Sequence, residues 1–522
     1  MHADPAHAGT DEGSRPRRRA DAPGGGRPVA RLLAEQVFSR VLGTDSVGGN
    51  EVHLLRDAGE NYPAWLDAIA GARDYVNFEN YIIQADEVGR RFADALCAKA
   101  REGVRVRVVY DWLGSRSTPG RFWDELRRAG AEVRCFNRPR LTSPFGWISR
   151  NHRKTLGVDG RIGFVSGLCV ARDWEGDPAR GVPPWRDTGI SLRGPAVADL
   201  DDAFEQSWRE AGGAAADADA EAPSPPPAPR PEPAGTVALR VVGTRPNTMG
   251  LYRLDQFVAS LARRRLWLTD AYFVGTTAYV SALCDAARDG VDVRVLVPGA
   301  SDIPITKVIS RAGYRPLLEA GIRVFEWNGP MLHAKTAVAD GRWGRIGSSN
   351  LNLASWIGNW ELDVSIEDAA FAERMEEMFL HDLGNATEIV LDLGRVHAAG
   401  GHDERRPRGA ARPGRRLPGH VRARRRRRGS TGRLAAGAVG IGSAVGAAIT
   451  DHRVLGPAEN RVMAAAAGLL LVLAAVAVFL PYLVTVPLAC VCLLVAGALL
   501  VRSWSSRPSS RSAQAPPSRP PA

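Results

Sequence analysis

The segment His152-Arg-Lys-Thr-Leu-Gly-Val-Asp159 recurs later in the 522-residue chain as His333-Ala-Lys-Thr-Ala-Val-Ala-Asp340. Both copies keep histidine, lysine and aspartate at the same spacing. Lysine is scarce in this sequence: the chain has four lysines, and each copy of the segment contains one. One chance match of this spacing is expected at roughly a few per thousand. Two matches therefore indicate a repeated functional motif.

The residue types in the motif point to phosphodiester chemistry. In a strand, His152 and Lys154 would lie on the same face, as would His333 and Lys335. Two such strands, brought together, would surround one pocket with two imidazoles and two ammonium groups. A neutral imidazole can attack phosphorus while a protonated one delivers a proton to the leaving alcohol. This chemistry requires neither a metal nor a cofactor.

The oxygen atoms of a bound phosphate need hydrogen-bond donors. We expect the motif lysines, together with the side chains of Ser348 and Asn350, to hold the non-bridging oxygens. A lone His-x-Lys pair more often lies at a solvated edge. The paired copies favour the catalytic interpretation over that alternative.

The pattern around the motifs also repeats, which predicts a duplicated α/β fold. Alternating and apolar runs predict a strand at 75–83, a helix at 88–102 and a strand at 104–111. The same order returns at 265–274, 278–289 and 291–298. Strand, helix and strand in this order indicate a parallel crossover. We therefore predict an internal duplication of about 170 residues.

Changes in composition predict the domain boundaries. They give a disordered leader (1–30), a first lobe (31–210), a Pro/Ala-rich linker (211–235), a second lobe (236–395), an Arg-rich disordered linker (396–433), a membrane region (434–502) and a disordered tail (503–522).

The membrane region contains two uncharged apolar runs, 463–480 and 483–501, separated by Pro481-Tyr482. Each run is just long enough to span a bilayer as a helix. The short break predicts a C-terminal transmembrane helical hairpin with both ends on one side of the membrane. Flanking arginines place that side in the cytoplasm. The alternative is a buried hairpin of a soluble domain.

The positive charge of the chain is confined to one segment. Thirteen arginines lie between Arg405 and Arg433, and removing them turns the formal net charge of +11 into −2. The nearly neutral body argues against a general nucleic-acid clamp. The arginine cluster favours an anionic lipid surface, with a nucleic-acid arm as the alternative. Dispersed cysteines and the lack of a secretory signal indicate a reducing cytoplasm.

The paired motifs resemble those of the phospholipase D superfamily. The similarity covers about residues 45–395. Several short segments resemble the bacterial cardiolipin synthase branch of this superfamily: Glu79-Asn-Tyr-Ile82, Tyr110-Asp-Trp-Leu-Gly-Ser115, Trp185-Arg-Asp-Thr188, Gly194-Pro-Ala-Val197, Met331-Leu-His-Ala-Lys335 and Asn359-Trp-Glu361. The resemblance implies two duplicated phospholipase D-like α/β lobes, with mixed sheets, that share one active site.

The resemblance also implies a mechanism with a covalent phosphohistidine intermediate, which an alcohol or water resolves. By analogy His152 is the nucleophile and His333 the general acid, although the sequence does not fix which way round. Asp187 and Glu361 match the carboxylates that orient the opposite histidine. Asp159 and Asp340 complete the catalytic motif, and we expect them to support the motif strand.

One position departs from the family pattern. The first motif continues as Ser166-Gly-Leu-Cys169, where synthases commonly have Gly-Gly-Leu-Asn. A thiol is a weaker hydrogen-bond donor than an amide. Because the catalytic histidines and lysines are present, we expect activity to remain, with altered positioning of the phosphate.

The predicted function is that of a cardiolipin synthase-type phosphatidyltransferase at the bacterial inner membrane, with cytoplasmic catalytic lobes. Its expected partners are anionic phospholipid and the bilayer, without nucleic acid. The alternatives are a phospholipase D-type hydrolase, a nuclease, or a catalytically degenerate membrane scaffold.

Overall fold

A computed structural model describes residues 38–40, 42–139, 148–212, 230–391, 468, 493 and 494. The first half contains seven strands: β1 Val47–Arg56, β2 Tyr75–Asn80, β3 Arg105–Asp111, β4 Glu132–Phe136, β5 Thr155–Val158, β6 Ile162–Ser166 and β7 Thr188–Arg193. Its helices are α1 Asp57–Ala70, α2 Glu87–Arg101, α3 Gly120–Arg128, α4 Arg172–Glu175 and α5 Val197–Gly212, with a 3-10 turn at Pro178–Arg180.

The second half repeats this order of elements. Its strands are β8 Val237–Thr244, β9 Arg265–Thr269, β10 Asp292–Pro298, β11 Arg323–Trp327, β12 Thr336–Ala339, β13 Trp343–Gly347, β14 Glu361–Glu367 and β15 Ala386–Ile389. Its helices are α6 Gly250–Leu261, α7 Thr277–Arg288, α8 Pro304–Ala312, α9 Tyr314–Glu319 and α10 Ala369–Leu383, with a π-helical turn at Ala354–Gly358.

The two halves form one continuous mixed sheet. Its strand order is β15-β11-β10-β9-β12-β13-β14-β8-β1-β7-β6-β5-β2-β3-β4. Reading outward from the β1–β8 pair, both directions give the same sequence of seven equivalent strands, and β15 adds an eighth strand at the edge of the second half. The predicted duplicated α/β fold is confirmed. We expected a sheet in each lobe, whereas the described strands join edge to edge through β1 and β8.

The predicted crossovers agree with the structure. Strands β2 and β3 pair in parallel, as do β9 and β10. Helix α2 begins where Asp86 accepts a hydrogen bond from Gly89 N at 3.0 Å, a standard N-cap. After this helix Gly103 adopts a φ of +89°, a conformation that glycine reaches without steric cost. Val88, Phe92 and Leu96 form its buried face.

The first strand of each crossover is shorter than predicted. Strand β2 ends at Asn80, where the prediction continued to residue 83, and β9 ends at Thr269 instead of residue 274. Beyond β2 the backbone finds other acceptors: Ile83 N donates to Ser115 Oγ at 3.0 Å, and Gln84 N donates to Val170 O at 2.9 Å. The chain leaves the sheet at this point because loop atoms satisfy its donors.

The predicted membrane hairpin lies outside the described residues, apart from three helical positions: Gly468, Leu493 and Leu494. Among the residues that the structure describes, no helix is both long and apolar enough to cross a bilayer. The leader (1–30), the Arg-rich linker (396–433) and the tail (503–522) also lie outside the described ranges, as does most of the linker at 211–235.

Asn50 joins the two halves of the sheet. Its side chain is fully buried and donates to Val47 O at 2.7 Å and to Val237 O at 3.2 Å, while its oxygen accepts from Ala196 N at 2.9 Å. Asn50→Ala should lower the free energy of unfolding by about 3 kcal/mol, because it leaves buried backbone groups without partners. Urea denaturation followed by tryptophan fluorescence measures this, with Glu51→Ala at the neighbouring half-buried position as control. Equal stability of the two variants would contradict this role for Asn50.

Candidate active site

Each motif histidine lies on an extended segment that pairs with the opposite lobe. His152 N donates to Trp360 O at 2.8 Å, and Trp360 N donates to Arg150 O at 2.8 Å. In the other half, His333 N donates to Arg186 O at 2.7 Å, and Arg186 N donates to Met331 O at 2.9 Å. The backbone of each lobe therefore holds the histidine of the other.

The prediction that the motif histidines and lysines lie in strands is wrong. Strands β5 and β12 begin only at Thr155 and Thr336, directly after each lysine. The backbone that precedes each strand does not continue the strand pairing within its lobe, because its hydrogen bonds go to the opposite lobe.

Each histidine contacts a carboxylate from the opposite lobe. His152 Nδ1 lies 2.9 Å from Glu361 Oε2, and His333 Nδ1 lies 2.7 Å from Asp187 Oδ2. All four side chains are buried. A carboxylate on Nδ1 fixes the tautomer and orientation of the ring, and it leaves Nε2 available for chemistry.

The two carboxylates have different additional partners. Ser348 Oγ donates to Glu361 Oε2 at 2.6 Å, whereas Trp174 Nε1 donates to Asp187 Oδ2 at 2.8 Å. We expected the Ser348 hydroxyl to bind phosphate; in the structure it donates a hydrogen bond to Glu361. Gly167 occupies the position equivalent to Ser348 in the first motif. A Cβ atom there would lie 2.1 Å from Asp187 Oδ1.

The motif lysines lie beside their own histidines. Lys154 Nζ donates to His152 O at 2.5 Å and lies 5.2 Å from the centre of the Tyr81 ring. Lys335 Nζ donates to the carbonyl of His333 and lies 2.8 Å from its Nδ1 and 3.1 Å from its Nε2. Both lysines are 1% exposed, so their charges act with little screening by water.

The charges of each half-site affect the pKa values of the other. Burial, together with Lys335 and Lys154, lowers the pKa of His333 to about 3 against the opposing effect of Asp187. Burial likewise lowers the pKa of His152, with contributions from both lysines. The lysine of each motif thus lowers the pKa of the histidine in the other motif, which favours the neutral form of both imidazoles.

The carboxylates stay ionised in spite of their burial. Desolvation raises the pKa of Asp187, but Lys335 and His333 outweigh this effect and hold that pKa at about 2. The pKa of Glu361 is lowered in the same way by His152 and Lys154. Burial lowers the pKa of Lys335 to about 8. A bound phosphodiester anion would favour protonation of a histidine, because it adds negative charge beside it.

The aspartates of the motif lie at the far ends of β5 and β12 and do not contact the histidines. Asp159 and Asp340 adopt φ values of 53° and 54°. Each accepts three backbone hydrogen bonds at 2.8–3.0 Å, from residues 73–75 and 263–265 respectively. They stabilise the turns from which β2 and β9 begin, so the structure gives neither of them contact with a reacting group.

Asn350 and Cys169 occupy equivalent positions after the two motifs. Asn350 is buried, and its Oδ1 has no hydrogen-bond partner among the described residues. Cys169 is buried too, and its carbonyl accepts from Tyr62 Oη at 2.5 Å. Burial raises the pKa of the thiol although Lys154 and Lys335 both lower it. Cys169 is therefore a neutral thiol whose pKa is affected by both lysines.

Several buried polar residues around the site were not predicted. Asn151 precedes the first histidine; its Nδ2 donates to Glu79 Oε1 at 2.6 Å and its amide donates to Asp111 Oδ2 at 2.9 Å. Glu79 and Asp111 lie in two of the short segments that resemble the family, and this resemblance could have predicted their place at the site. Trp174 had none, because its distance from Asp187 in the sequence matches no motif.

Gly167→Ala tests how closely Asp187 must approach His333. The added Cβ would displace the Asp187 carboxylate, and a displacement of about 1 Å typically costs about 100-fold in rate. We expect kcat for phosphodiester cleavage to fall by about that factor with the fold retained. Gly120→Ala is the control, since its Cβ would meet nothing within 4 Å. Unchanged kcat in Gly167→Ala would show that this approach is not required.

Comparison with known proteins agrees with this geometry. The family described as "Cardiolipin synthase, PLD-like domain" matches residues 65–170 and 258–383, one segment in each half. The chain is 32% identical to cardiolipin synthase of Alkalihalophilus pseudofirmus over 349 residues, which covers 66% of this chain and 68% of the relative. It is 34% identical to cardiolipin synthase A of Pseudomonas fluorescens over 359 residues, or 67% and 72% of the two chains.

The fold also resembles a solved structure. Phosphatidylserine synthase of Haemophilus influenzae superposes with a TM-score of 0.54 at 13% identity, covering 68% of this chain and 92% of that chain. At this identity the likeness concerns the fold alone. The sequence relatives carry the assignment further: the chain belongs to the phospholipase D superfamily and, within it, to the cardiolipin synthase-like branch.

Proposed function

We propose that this protein is a phosphatidyltransferase of the cardiolipin synthase type. The observation that carries the proposal is the exchange of histidine partners: each buried imidazole contacts a carboxylate of the opposite lobe, with a lysine beside it. Two neutral imidazoles beside two lysines provide a nucleophile, a group that can become a general acid, and charges that stabilise a phosphoryl transition state. The relatives named cardiolipin synthase support the same reaction.

In the proposed first step, His152 Nε2 attacks phosphorus of the donor phospholipid. The bond from phosphorus to the headgroup oxygen breaks, and His333, protonated once the anion is bound, gives its proton to the departing alcohol. The product is a phosphatidyl group on nitrogen. Assigning His152 as nucleophile follows the resemblance to the superfamily.

The second step reverses these roles. His333 removes the proton from the hydroxyl of an acceptor, whose oxygen attacks phosphorus and releases His152. When the donor and the acceptor are both phosphatidylglycerol, the products are cardiolipin and glycerol. Water in place of the acceptor would give phosphatidic acid instead.

The other site residues have supporting roles in this proposal. Lys154, Lys335 and the Asn350 amide hold the phosphate oxygens. Glu361 and Asp187 keep the imidazoles in the tautomer with Nε2 free, and Ser348 acts through Glu361. Asp159 and Asp340 act on stability, since their hydrogen bonds go to turns of the backbone.

We further propose that the chain is tethered to the bacterial inner membrane with its catalytic lobes in the cytoplasm. The apolar runs 463–480 and 483–501 would form the hairpin, and the arginines between Arg405 and Arg433 would bind the anionic leaflet. Each basic residue near such a surface contributes about 1 kcal/mol of attraction. Anionic phospholipid is then both substrate and binding surface.

The reaction is tested by expressing the full chain in a cardiolipin-deficient bacterium and measuring its lipids by mass spectrometry. We expect cardiolipin to return with the intact chain and to be absent with His152→Ala or His333→Ala, because each variant removes one of the two required imidazoles. Gly120→Ala serves as the active control. Phosphatidic acid without cardiolipin would indicate a hydrolase, and unchanged phospholipids at normal expression would refute the lipid reaction.

The pKa of Lys335 predicts the alkaline limit of the reaction. This group is an ammonium below about pH 8 and neutral above it, because burial and Lys154 outweigh the opposing effects of Asp187 and Asp270. We expect kcat/KM to fall about tenfold per pH unit above pH 8, as the charge that binds phosphate is lost. Lys335→Arg keeps its charge and should lose this limb, at lower maximal activity. An unchanged limb in that variant would assign it to another group.

A further inference from the structure

A buried ion cluster lies directly behind the Asp187–His333 pair. Arg186, the residue before Asp187, is 3% exposed. Its Nε lies 3.0 Å and 2.9 Å from the two carboxylate oxygens of Asp382, and its Nη2 lies 2.8 Å from the second of these oxygens. Its Nη1 contacts Asp57 Oδ1 at 3.0 Å. Arg56 adds a second cation, 3.2 Å from Asp382.

The cluster connects the two lobes. Asp382 lies on α10 at the end of the second lobe, whereas Arg186 and Asp57 belong to the first. The backbone of Arg186 is paired in addition with the second motif segment, where its carbonyl accepts from His333 N. Arg186 thus binds the backbone of His333 through its own carbonyl and binds Asp382 of the opposite lobe through its side chain.

Asp57 holds the backbone of Asp187 from the other side. Asp57 N donates to Asp187 O at 3.0 Å, and Asp187 N donates to Asp57 Oδ1 at 2.8 Å. Asp57 does this at a φ of 52°, in the left-handed region that a non-glycine residue enters at some cost. Asp57 therefore binds both backbone hydrogen-bonding groups of Asp187, its N–H and its carbonyl.

The surroundings of Glu361 in the other half-site are different. Arg153 Nε donates to the carbonyl of Glu361 at 3.2 Å. The guanidinium makes its other hydrogen bonds to neutral oxygens, among them Ala203 O at 2.7 Å and Thr244 O at 3.2 Å. The Glu361–His152 pair thus rests on an arginine bound to uncharged groups, and the Asp187–His333 pair on an arginine bound to two carboxylates.

We propose that Arg186, anchored by Asp57 and Asp382, is a positioning residue that sets Asp187 against His333 for proton transfer to and from the alcohol. The inference rests on the proposed function. A buried ion pair usually adds little net stability compared with apolar residues. The five N–H donors of the guanidinium are, however, held in a fixed planar geometry, and this defines position closely. The cluster therefore acts on the geometry of the acid–base group.

Arg186→Met in the full-length protein tests this. We expect kcat for cardiolipin formation from phosphatidylglycerol vesicles to fall about 100-fold, as for a displacement of about 1 Å. KM should stay within about twofold, because Arg186 contacts no substrate in this scheme. Asp382→Asn, which removes the charge with little change of shape, should lower kcat in the same direction.

A double-mutant cycle separates positioning from a general structural role. In the Asp187→Asn background, Arg186→Met should cost less than about threefold more, because the group through which it acts is already altered. An equal factor in both backgrounds would overturn the proposal. A loss of kcat that matches a loss of folded protein, measured by circular dichroism, would overturn it as well.

The matched control is Arg240→Met. Arg240 is also a buried arginine with an acidic partner, Glu367, but the pair lies on β8 and β14 with no contact to Asp187. We expect some loss of stability with kcat within about threefold of wild type. A fall as large as that of Arg186→Met would mean that breaking any buried pair has this effect, and would overturn the proposal.

A chromogenic phosphodiester, bis-p-nitrophenyl phosphate, separates failure of this inference from failure of the proposed function. Wild-type protein that cleaves it but forms no cardiolipin would refute the lipid reaction, and the same cycle would then test Arg186 on the chromogenic substrate. Wild-type protein that acts on neither substrate would overturn both proposals, since no proton transfer would remain for Arg186 to support.

Discussion

The exchange of hydrogen bonds between the two lobes is the constraint on which the site depends. His152 finds its carboxylate on β14 and His333 finds its carboxylate just before β7, so neither imidazole is oriented by its own half. The backbone pairing of each motif segment with the opposite lobe enforces the same exchange. Continuity of the sheet through β1 and β8 keeps both exchanges in register. A substitution at the lobe interface would therefore alter the orientation of both histidines without contacting either of them.

Burial sets the chemistry of the four charged side chains that surround the imidazoles. Two lysines and two carboxylates leave the site close to neutral, which makes their common burial tolerable. Both carboxylates have lowered pKa values because the cations lie close, whereas burial, together with these cations, lowers the pKa of both imidazoles. An arriving phosphodiester changes this balance by one negative charge. Binding and activation of the acid are thus one electrostatic event.

Much of the fold and of the site could be predicted from the sequence. The duplicated motif and the repeated strand–helix–strand pattern indicated two α/β halves, because periodicity and motif spacing are local properties. The resemblance also supplied Asp187 and Glu361, which the structure brings to the histidines. The edge-to-edge joining of β1 and β8 was not predictable, since pairing between distant strands leaves no trace in either strand. The partners of Ser348 and Trp174 were missed for a different reason: each lies only 13 residues away, but the contact depends on side-chain packing that no motif spacing records.

The order of the chain has a consequence for biosynthesis. Glu361 and Asp382 lie late in the second lobe, so a ribosome-bound chain that has completed only the first lobe contains His152 without its carboxylate and Arg186 without its anchor. Such a fragment holds an imidazole without the carboxylate that orients it in the folded protein. The complete set of contacts around both histidines therefore becomes possible only after translation has passed the end of α10.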